Sequence, residues 1–581
     1  MNKTIEFSKN ELKKYTNKYG IDVSKISLKC DSDKFGLYDC ERDAYYINIK
    51  NFCGEIIGNN ERSILLGVYR FLSEIGFVFA RPGQNGTVYP KNIKSDVSIY
   101  KISDVKYRGI SFSTEIKFDA LLDIIDFLPK LGYNTFFFEF QDSGYYFEKE
   151  YGADFTKEHA GRLRDMAKSE LKRRDMIIQT CGHGWTSKIV SELLNIKNVS
   201  GFEKSDCNRE NGLIAMIGGK RKIFNSMPAH THLCYSNPDV IKKLTEEVLG
   251  YCKRHTDEKY IHVWLADYFN NFCECENCVT DVPQKFYQIL LREIDRKLSE
   301  NGINTKIIFL IYFDLLFKPK NLYVNSERFI LLYCPYSRDT SQSFSELKFD
   351  EKTPRHPFSY NHNEPWIKND ELYSHLKEWG KDFKGEKILF DYPYFDMVFN
   401  DFAGMQIAIN SFNDAKVITK MGLDGYISCH NMKTFFPHSF GLYVLGKTLF
   451  DNTADYEIEK DRYFSAVKGL KLFETAERCI PLGYIRKQSK QIDAVIAENV
   501  TTLKVLAKKV ENEDCYLKIW AELLISFADI VYEKASGNES DVLNAWTRFD
   551  KKLKEYEPII GEIYDIKFVD ELTYNFAKES W

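Results

Sequence analysis

The feature that most constrains the fold is a regular rhythm along residues 107–445, where short apolar runs alternate with amphipathic stretches of helical length. Alternation of this kind builds βα units, whose parallel strands share one sheet. Eight such runs are predicted as strands, at residues 135–140, 176–181, 232–235, 260–264, 306–312, 329–333, 387–392 and 425–429. Because no G-x-G-x-x-G turn follows the first run, we predict a (β/α)8 TIM-like barrel rather than a doubly wound sheet.

Two further regions flank the predicted barrel. Residues 1–103 combine short alternating strands with a helix whose apolar face runs from Ile64 to Leu72, which indicates a small α/β unit. Past Leu445 the strand pattern stops, and apolar residues around Trp520 recur at helical spacing. The predicted α/β architecture therefore has an N-terminal α/β domain (1–103), a (β/α)8 catalytic barrel (104–445) and a C-terminal α-helical domain (446–581).

The charge balance argues against two classes of partner. The chain has 80 basic and 84 acidic side chains, a formal net charge of −4, and no basic cluster of the kind that attracts nucleic acid or membrane phosphates. The first residues contain no apolar stretch of signal-peptide length, and no later run approaches the ~18 apolar residues of a spanning helix. We expect a cytoplasmic protein with no nucleic-acid or membrane partner; whether it forms a homo-oligomer stays open.

Three cysteines are closely spaced in a C-x-C-x2-C motif formed by Cys273, Cys275 and Cys278. Three thiolates in one turn can hold a tetrahedral Zn²⁺ if a fourth ligand comes from elsewhere. Cys234 is the predicted fourth ligand, and Cys207 and His262 are alternatives. A structural zinc site and a loop of reduced thiols remain equally open, and no cofactor is expected to take part in the chemistry.

Candidate site residues follow from the architecture, because active sites of such barrels lie at the C-terminal ends of the strands. Carboxylates alternate there with aromatic side chains, which suit the two acids and the ring-stacking surfaces of glycoside hydrolysis. Asp267 and Asp391 are the predicted catalytic pair, whereas Asp314, Asp339 and Asp396 are interpreted as helix caps. The predicted substrate-binding residues are Arg108, Glu139, His183, Trp185, Trp264, Tyr268, Tyr392, His430 and Asn431.

Several motifs also resemble known families. The segment Ser63-Ile-Leu-Leu-Gly67, followed by Gly76-Phe-Val-Phe79, resembles the small domain that precedes the barrel in glycoside hydrolase family 20 hexosaminidases and family 67 α-glucuronidases. The segments Leu233-Cys234-Tyr235-Ser236-Asn237-Pro238, Asp267 to Cys278 and Phe390-Asp391-Tyr392 are similar to the family called domain of unknown function 4838. The resemblance implies a retained barrel and an exo-acting, carbohydrate-active enzyme.

The function predicted from these observations is hydrolysis of a glycoside at the non-reducing end of a small sugar chain by two carboxylates, with an amino sugar and an acidic sugar both open as the substrate. Asp267 would be the general acid, and Asp391 the base or nucleophile. The family 20 mechanism is not carried over, because it relies on an Asp-Glu pair where this chain has Asp267-Tyr268.

Two alternatives remain. An α-glucuronidase-like enzyme would bind an acidic sugar through Arg108, Arg221 or Arg338. A catalytically silent carbohydrate-binding or interaction protein would keep the aromatic rim without the acid pair.

Overall fold

The computed structural model describes residues 3–37, 39, 41–152, 155–197, 201–322, 324–395, 401–482, 490–510 and 515–578. In these ranges a four-stranded sheet precedes a closed eight-stranded parallel barrel, and helices follow it. The predicted (β/α)8 class is confirmed. No helix in the described ranges is both long and apolar enough to cross a membrane.

The N-terminal region is a sheet with helices packed against it. Its two helices are α1 (Lys3–Thr16) and α2 (Glu61–Glu74). Its strands are β1 (Ile26–Cys30), β2 (Ala44–Lys50), β3 (Cys53–Gly58), a short β4–β5 pair (Val78–Phe79 and Thr87–Val88) and β6 (Val97–Ile102). The four longer strands pair in the order β1-β3-β2-β6. Helix α2 begins where the Asn60 side chain accepts the Ser63 N–H, and it buries the predicted apolar face from Ile64 to Leu72.

The barrel contains eight strands in parallel register. They are β7 (Tyr107–Phe112), β8 (Thr135–Phe140), β9 (Ile177–His183), β10 (Tyr260–His262), β11 (Lys306–Ile311), β12 (Phe329–Tyr333), β13 (Lys387–Asp391) and β14 (Gly425–His430). The intervening helices are α3 (Phe118–Phe127), α4 (Gly144–Tyr151), α5 (Lys157–Arg173), α6 (Trp185–Leu193), α7 (Pro238–Arg254), α8 (Pro283–Glu300), α9 (Asn369–Asp382), α10 (Met405–Val417) and α11 (Phe440–Phe450). Strand β14 pairs with β7, and this pairing closes the barrel.

The prediction includes one strand that does not form and omits one that does. Residues 232–235 do not form a strand, because Leu233 makes only an isolated bridge to Ile214. The first barrel strand is instead β7, whose six residues are all buried although they include Arg108 and Ser111. These polar residues interrupt the apolar run that signalled the other strands. The two errors offset each other, so the predicted total of eight and the position of β10 as fourth strand still hold.

Asp43 joins the N-terminal sheet to the barrel near the start of β7. One of its carboxyl oxygens accepts hydrogen bonds from Arg108 Nη2 (2.6 Å) and Asn134 Nδ2 (2.7 Å), and the other accepts one from Arg62 Nε (2.8 Å). Burial by itself would raise the pKa of Asp43, but the two guanidinium groups outweigh it and lower that pKa to about 2. Arg108 is therefore held by the N-terminal region.

Helices also follow the barrel, and the turn between the last two of them contacts the loop after β14. They are α12 (Tyr456–Val467), α13 (Leu470–Cys479), α14 (Lys490–Ala507), α15 (Cys515–Ala535), α16 (Glu539–Ile560) and α17 (Ile566–Lys578). Lys433, just after β14, donates to the Gly561 carbonyl (2.8 Å), and Thr434 bridges to Tyr564. Helix α11 continues across the predicted boundary at residue 445. The three-part division itself stays a prediction.

Candidate active site

A cleft of about 540 Å³ lies at the C-terminal mouth of the barrel. Every barrel strand contributes a side chain to it from one of its last two positions or from the loop just after it. In strand order these residues are Ser113, Glu139, His183, Trp264, Tyr312, Cys334, Tyr392 and Asn431. Since TIM-barrel enzymes place their active sites at this end, the cleft is the candidate active site.

Strand phase explains why these particular residues reach the cleft. Successive side chains of a strand point to opposite faces, so residues two apart share a face. In β13, Ile388 and Phe390 pack inside the barrel, and Tyr392 continues that inward series. In β8, Phe137 packs inside the barrel and Glu139 follows it in phase.

Glu139 is the more deeply placed of two carboxylates in the cleft. It is 4% exposed, and its Oε2 accepts hydrogen bonds from Ser113 Oγ (2.5 Å) and Ser111 Oγ (3.1 Å). Its Oε1 lies 3.4 Å from Nε2 of His183. Burial opposes a charged imidazole at His183, but the hydrogen bond to Glu139 and the negative charge of Asp267 outweigh it and raise the pKa of His183. The contact with Glu139 thus favours the charged form of the His183 imidazole.

Asp267 is the second carboxylate, on the loop after β10. Its Oδ1 accepts hydrogen bonds from the Tyr312 hydroxyl (2.9 Å) and from the backbone N–H of Tyr268 (2.7 Å). Tyr268 adopts φ 82°, a left-handed conformation that costs a bulky residue roughly 1–3 kcal/mol. Both bonds fall on Oδ1, which leaves Oδ2 as the oxygen available to a bound molecule.

Aromatic side chains form the walls of the cleft. The Trp264 ring meets His183 edge to face at 4.8 Å, and Tyr268 stacks on His230 at 4.9 Å. Tyr336 and Trp366 lie at the opening, where Trp366 is 63% exposed. Exposed aromatic faces next to carboxylates provide the apolar surface on which a sugar ring stacks.

Asp391 is not among the residues that line the cleft, so the structure does not bring it together with Asp267. It lies between the inward-facing Phe390 and Tyr392, and its own side chain points away from the barrel axis. There it is fully buried and accepts hydrogen bonds from Arg338 Nη1 (2.7 Å) and the Tyr426 hydroxyl (2.9 Å). The expectation that the two aspartates share one pocket therefore fails because of strand phase.

Three predicted substrate-binding residues also lie outside the cleft. Arg108 is held by Asp43, as described above. The Trp185 indole is buried and donates to the carbonyls of Cys181 (2.8 Å) and His262 (2.9 Å). His430 is buried beneath Tyr394, and burial lowers its pKa to about 3. The other predicted binding residues, Glu139, His183, Trp264, Tyr268, Tyr392 and Asn431, do line the cleft.

The three aspartates interpreted as helix caps have different positions. Asp314 is buried and accepts hydrogen bonds from Asn270 N–H (2.8 Å) and Asn363 Nδ2 (2.7 Å), so it links two loops. Asp339 accepts the Ser341 N–H (3.0 Å) in a turn. Asp396 lies outside the described residues.

Several cleft residues were missing from the sequence-based prediction, among them Ser113, His230 and Trp366. Ser113 was missed because β7 was not recognised as a strand. His230 and Trp366 come from long loops that carry no periodic signal, and burial lowers the pKa of His230. Phase counting from a known interior residue would have found Ser113, whereas nothing local identifies the other two.

The four cysteines predicted as metal ligands lie together outside the cleft. The Sγ atoms of Cys234, Cys273, Cys275 and Cys278 are all within 4.8 Å of one another. The alternative ligands lie elsewhere: His262 pairs with Gln179 inside the barrel (2.8 Å), and Cys207 contacts Arg209 (3.4 Å).

Comparison with known proteins gives a structural likeness without a sequence match. No family model and no curated protein matches the chain, so the resemblance to families 20, 67 and domain of unknown function 4838 stays a prediction. Three structures of a family 89 glycoside hydrolase from Clostridium perfringens are similar over 99% of this chain and 69% of that chain.

The three structures differ in their bound ligands. One is a complex with PUGNAc (10% identity, TM-score 0.54) and one a complex with 2-acetamido-1,2-dideoxynojirmycin (11%, 0.56). The third is a variant with two glutamates replaced by glutamine, bound to its substrate GlcNAc-alpha-1,4-galactose (10%, 0.55). At this identity the comparison shows that the chain has the fold of these glycoside hydrolases.

Proposed function

We propose that this protein is a glycoside hydrolase that removes a terminal sugar from the non-reducing end of a small glycan. The observation that carries the proposal is the presence of Glu139 and Asp267 in one aromatic-walled cleft at the barrel mouth. Among the described residues that line this cleft, these two alone have carboxyl groups. Two carboxylates flanking a bound sugar are what most glycoside hydrolysis requires.

The surroundings of the two carboxylates support different roles for them. Asp267 keeps Oδ2 available while Tyr312 and the Tyr268 N–H hold Oδ1, which suits a general acid that protonates the leaving oxygen. Glu139 accepts hydrogen bonds from two serine hydroxyls and lies beside His183, contacts that hold its carboxyl group in place for a role as base or nucleophile. Glu139 thus takes the role first predicted for Asp391.

An amino sugar is the substrate class we favour. Two of the similar family 89 structures hold GlcNAc-alpha-1,4-galactose, the substrate of that enzyme, and 2-acetamido-1,2-dideoxynojirmycin, both of which carry an acetamido group. The size of the cleft, about 540 Å³, lies within the usual range for small-molecule pockets and suits a terminal sugar.

The α-glucuronidase alternative finds less support. An acidic sugar calls for a cationic side chain in the pocket, and the described residues lining the cleft include no arginine or lysine. Arg108 is paired with Asp43, and Arg338 with Asp391 and Asp414. Arg221 lies beside the cysteine cluster, with Nη1 3.8 Å from Cys273 Sγ.

The experiment that tests the proposal is a screen of chromogenic glycosides in both anomeric forms, including N-acetylglucosaminides, galactosides and glucuronides. We expect release from an N-acetylhexosaminide. Following the product anomer by proton NMR then shows whether configuration is retained, as for carboxyls about 5 Å apart, or inverted, as for about 6.5–9.5 Å.

Two variants test the assigned roles. Asp267→Asn and Glu139→Gln should each lower kcat by about 10²–10⁴-fold, the usual contribution of a catalytic acid or base. Asp142→Asn is the matched control, because Asp142 follows the same strand as Glu139 but is paired with Lys157 outside the cleft (2.8 Å). Near wild-type rates for both catalytic variants would refute the roles. Glycan binding by calorimetry with no turnover of any glycoside would favour the silent carbohydrate-binding protein.

A further inference from the structure

The cysteine cluster has the dimensions of a metal site. Cys234 Sγ lies 3.7 Å from Cys275 Sγ and 3.9 Å from Cys278 Sγ, and Cys273 Sγ completes the group. Zinc–sulfur bonds are about 2.3 Å, so the edge of a tetrahedral four-sulfur site is about 3.8 Å. The two distances from Cys234 match this edge, and all four sulfurs lie within 4.8 Å of one another, close enough to share one tetrahedral ion.

These spacings do not correspond to disulfides. A disulfide joins two sulfurs about 2.05 Å apart, and all four cysteines of the cluster are free. Cys234 belongs to a separate loop, 39 residues before Cys273, and nothing in the local sequence requires it to approach the other three. The fold has brought a fourth thiol to the open side of the motif.

Hydrogen-bond donors surround the cluster, as a set of thiolates requires. The Met216 N–H donates to Cys273 Sγ (3.3 Å), and Arg221 Nη1 lies 3.8 Å from the same sulfur. The Ser236 hydroxyl accepts a hydrogen bond from the Cys278 thiol (3.0 Å), and it can rotate to donate once that sulfur is a thiolate. One Zn²⁺ with four thiolates has a net charge of about −2, and the guanidinium of Arg221 offsets part of it.

We propose that Cys234, Cys273, Cys275 and Cys278 bind one Zn²⁺ in a closed structural site, and that this metal ties together two loops of the cleft. Four sulfur ligands leave no open position for a water or a substrate, which distinguishes a structural from a catalytic zinc.

The loops that the metal joins are the ones that carry His230 and Asp267. Cys234 follows His230 by four residues, and Cys273 follows Asp267 by six. Between them the buried Asn271 donates from Nδ2 to the carbonyls of His230 (2.7 Å) and Asp267 (2.8 Å). A zinc ion bound by Cys234 on one loop and by the motif cysteines on the other therefore restrains both loops where they line the cleft.

The first test is the metal content of the purified full chain, measured by plasma mass spectrometry. We expect one zinc per chain, released in step with titration of four thiols by a mercurial reagent. Cys275→Ser should lose nearly all of the metal. The matched control is Cys53→Ser, at an exposed position in β3, which should retain it. Metal-free protein, or iron in place of zinc, would overturn the proposal.

The second test separates the metal from both folding failure and enzymatic activity. Removing zinc from the wild-type chain with a chelator should lower its unfolding temperature, and adding zinc back should restore it. Replacement by Co²⁺ should give the visible absorption of a tetrahedral thiolate site even if Cys275→Ser does not fold. An unchanged unfolding temperature after complete zinc removal would contradict the structural role. None of these readouts depends on turnover, so the zinc site can fail while the proposed hydrolase stands, or the reverse.

Discussion

The substitution Asp391→Asn tests whether this aspartate stabilises the barrel or takes part in the chemistry. Asp391 and Arg338 have side-chain exposures of 0% and 1%, and their closest atoms are 2.7 Å apart. Arg338 also pairs with Asp414 at 2.9 Å. Replacing the carboxylate by an amide of the same shape removes one of the two anions that neutralise a buried guanidinium.

The expected cost follows from this geometry. Removing one partner of a buried ion pair typically costs about 3–5 kcal/mol, because the remaining charge stays buried. Since Arg338 keeps Asp414, we expect a loss near the lower end, about 3 kcal/mol in the free energy of unfolding. At about 1.4 kcal/mol per tenfold change, the ratio of unfolded to folded protein rises on the order of 100-fold.

The assay is denaturant unfolding followed by tryptophan fluorescence, together with kcat per folded molecule on the substrate found in the screen. Asp391→Asn should lose stability but keep its kcat. Asp267→Asn is the matched substitution, because Asp267 is a partly exposed loop residue, and it should lose kcat while its stability changes by less than about 1 kcal/mol. The reasoning is refuted if Asp391→Asn unfolds like the wild type but no longer turns over substrate.

Three further predictions concern the cleft and its support. Because the pKa of His183 is raised in the folded protein, the stabilisation from its charged imidazole is complete below the unfolded pKa of about 6.5. That stabilisation is lost as the pH rises through the folded pKa. In chemical unfolding, His183→Gln should therefore destabilise the protein more at about pH 5.5 than at about pH 9. An equal effect at both pH values would count against the pairing with Glu139. Trp366→Ala should raise KM several-fold, because it removes about 1 kcal/mol of stacking on the sugar ring, and it should leave the unfolding midpoint unchanged. An unaltered KM would show that Trp366 is not part of the binding surface. Gly182→Ala should cost about 1–3 kcal/mol of stability, because the added Cβ would lie 2.9 Å from both a tryptophan ring and a backbone carbonyl oxygen. Gly161→Ala in α5 meets nothing within 4 Å and should stabilise by about 0.5–1 kcal/mol; equal effects for the two substitutions would show that local crowding is not the cause.

Much of the fold was predictable because its signals are local. Apolar runs separated by helix-length stretches identified seven of the eight barrel strands, with differences of a few residues at their ends. The missed strand, β7, contains Arg108, whose burial depends on Asp43 in another part of the chain. Local hydrophobicity cannot reveal a charge that is neutralised by a partner so distant in sequence.

The candidate site was predictable only in part, for a reason that lies in parallel barrels themselves. Their strands are buried on both faces, so apolar residues occupy both phases and the sequence does not mark which one faces the axis. Asp391 and Tyr392 are neighbours in the chain, yet only Tyr392 lines the cleft. Glu139 was recognised as a site residue, but its place as the second carboxylate became visible only once the phase was known.

The sequence by itself determined the class of architecture, the end of the barrel where chemistry is expected, and the C-x-C-x2-C motif suited to a metal. These properties depend on residue type and spacing along one segment. The tertiary structure decided which side chains meet: Glu139 with His183 in the cleft, Asp391 with Arg338 outside it, and Cys234 with the C-x-C-x2-C motif. These pairings depend on strand phase and on contacts between distant segments, which are set only when the sheet closes.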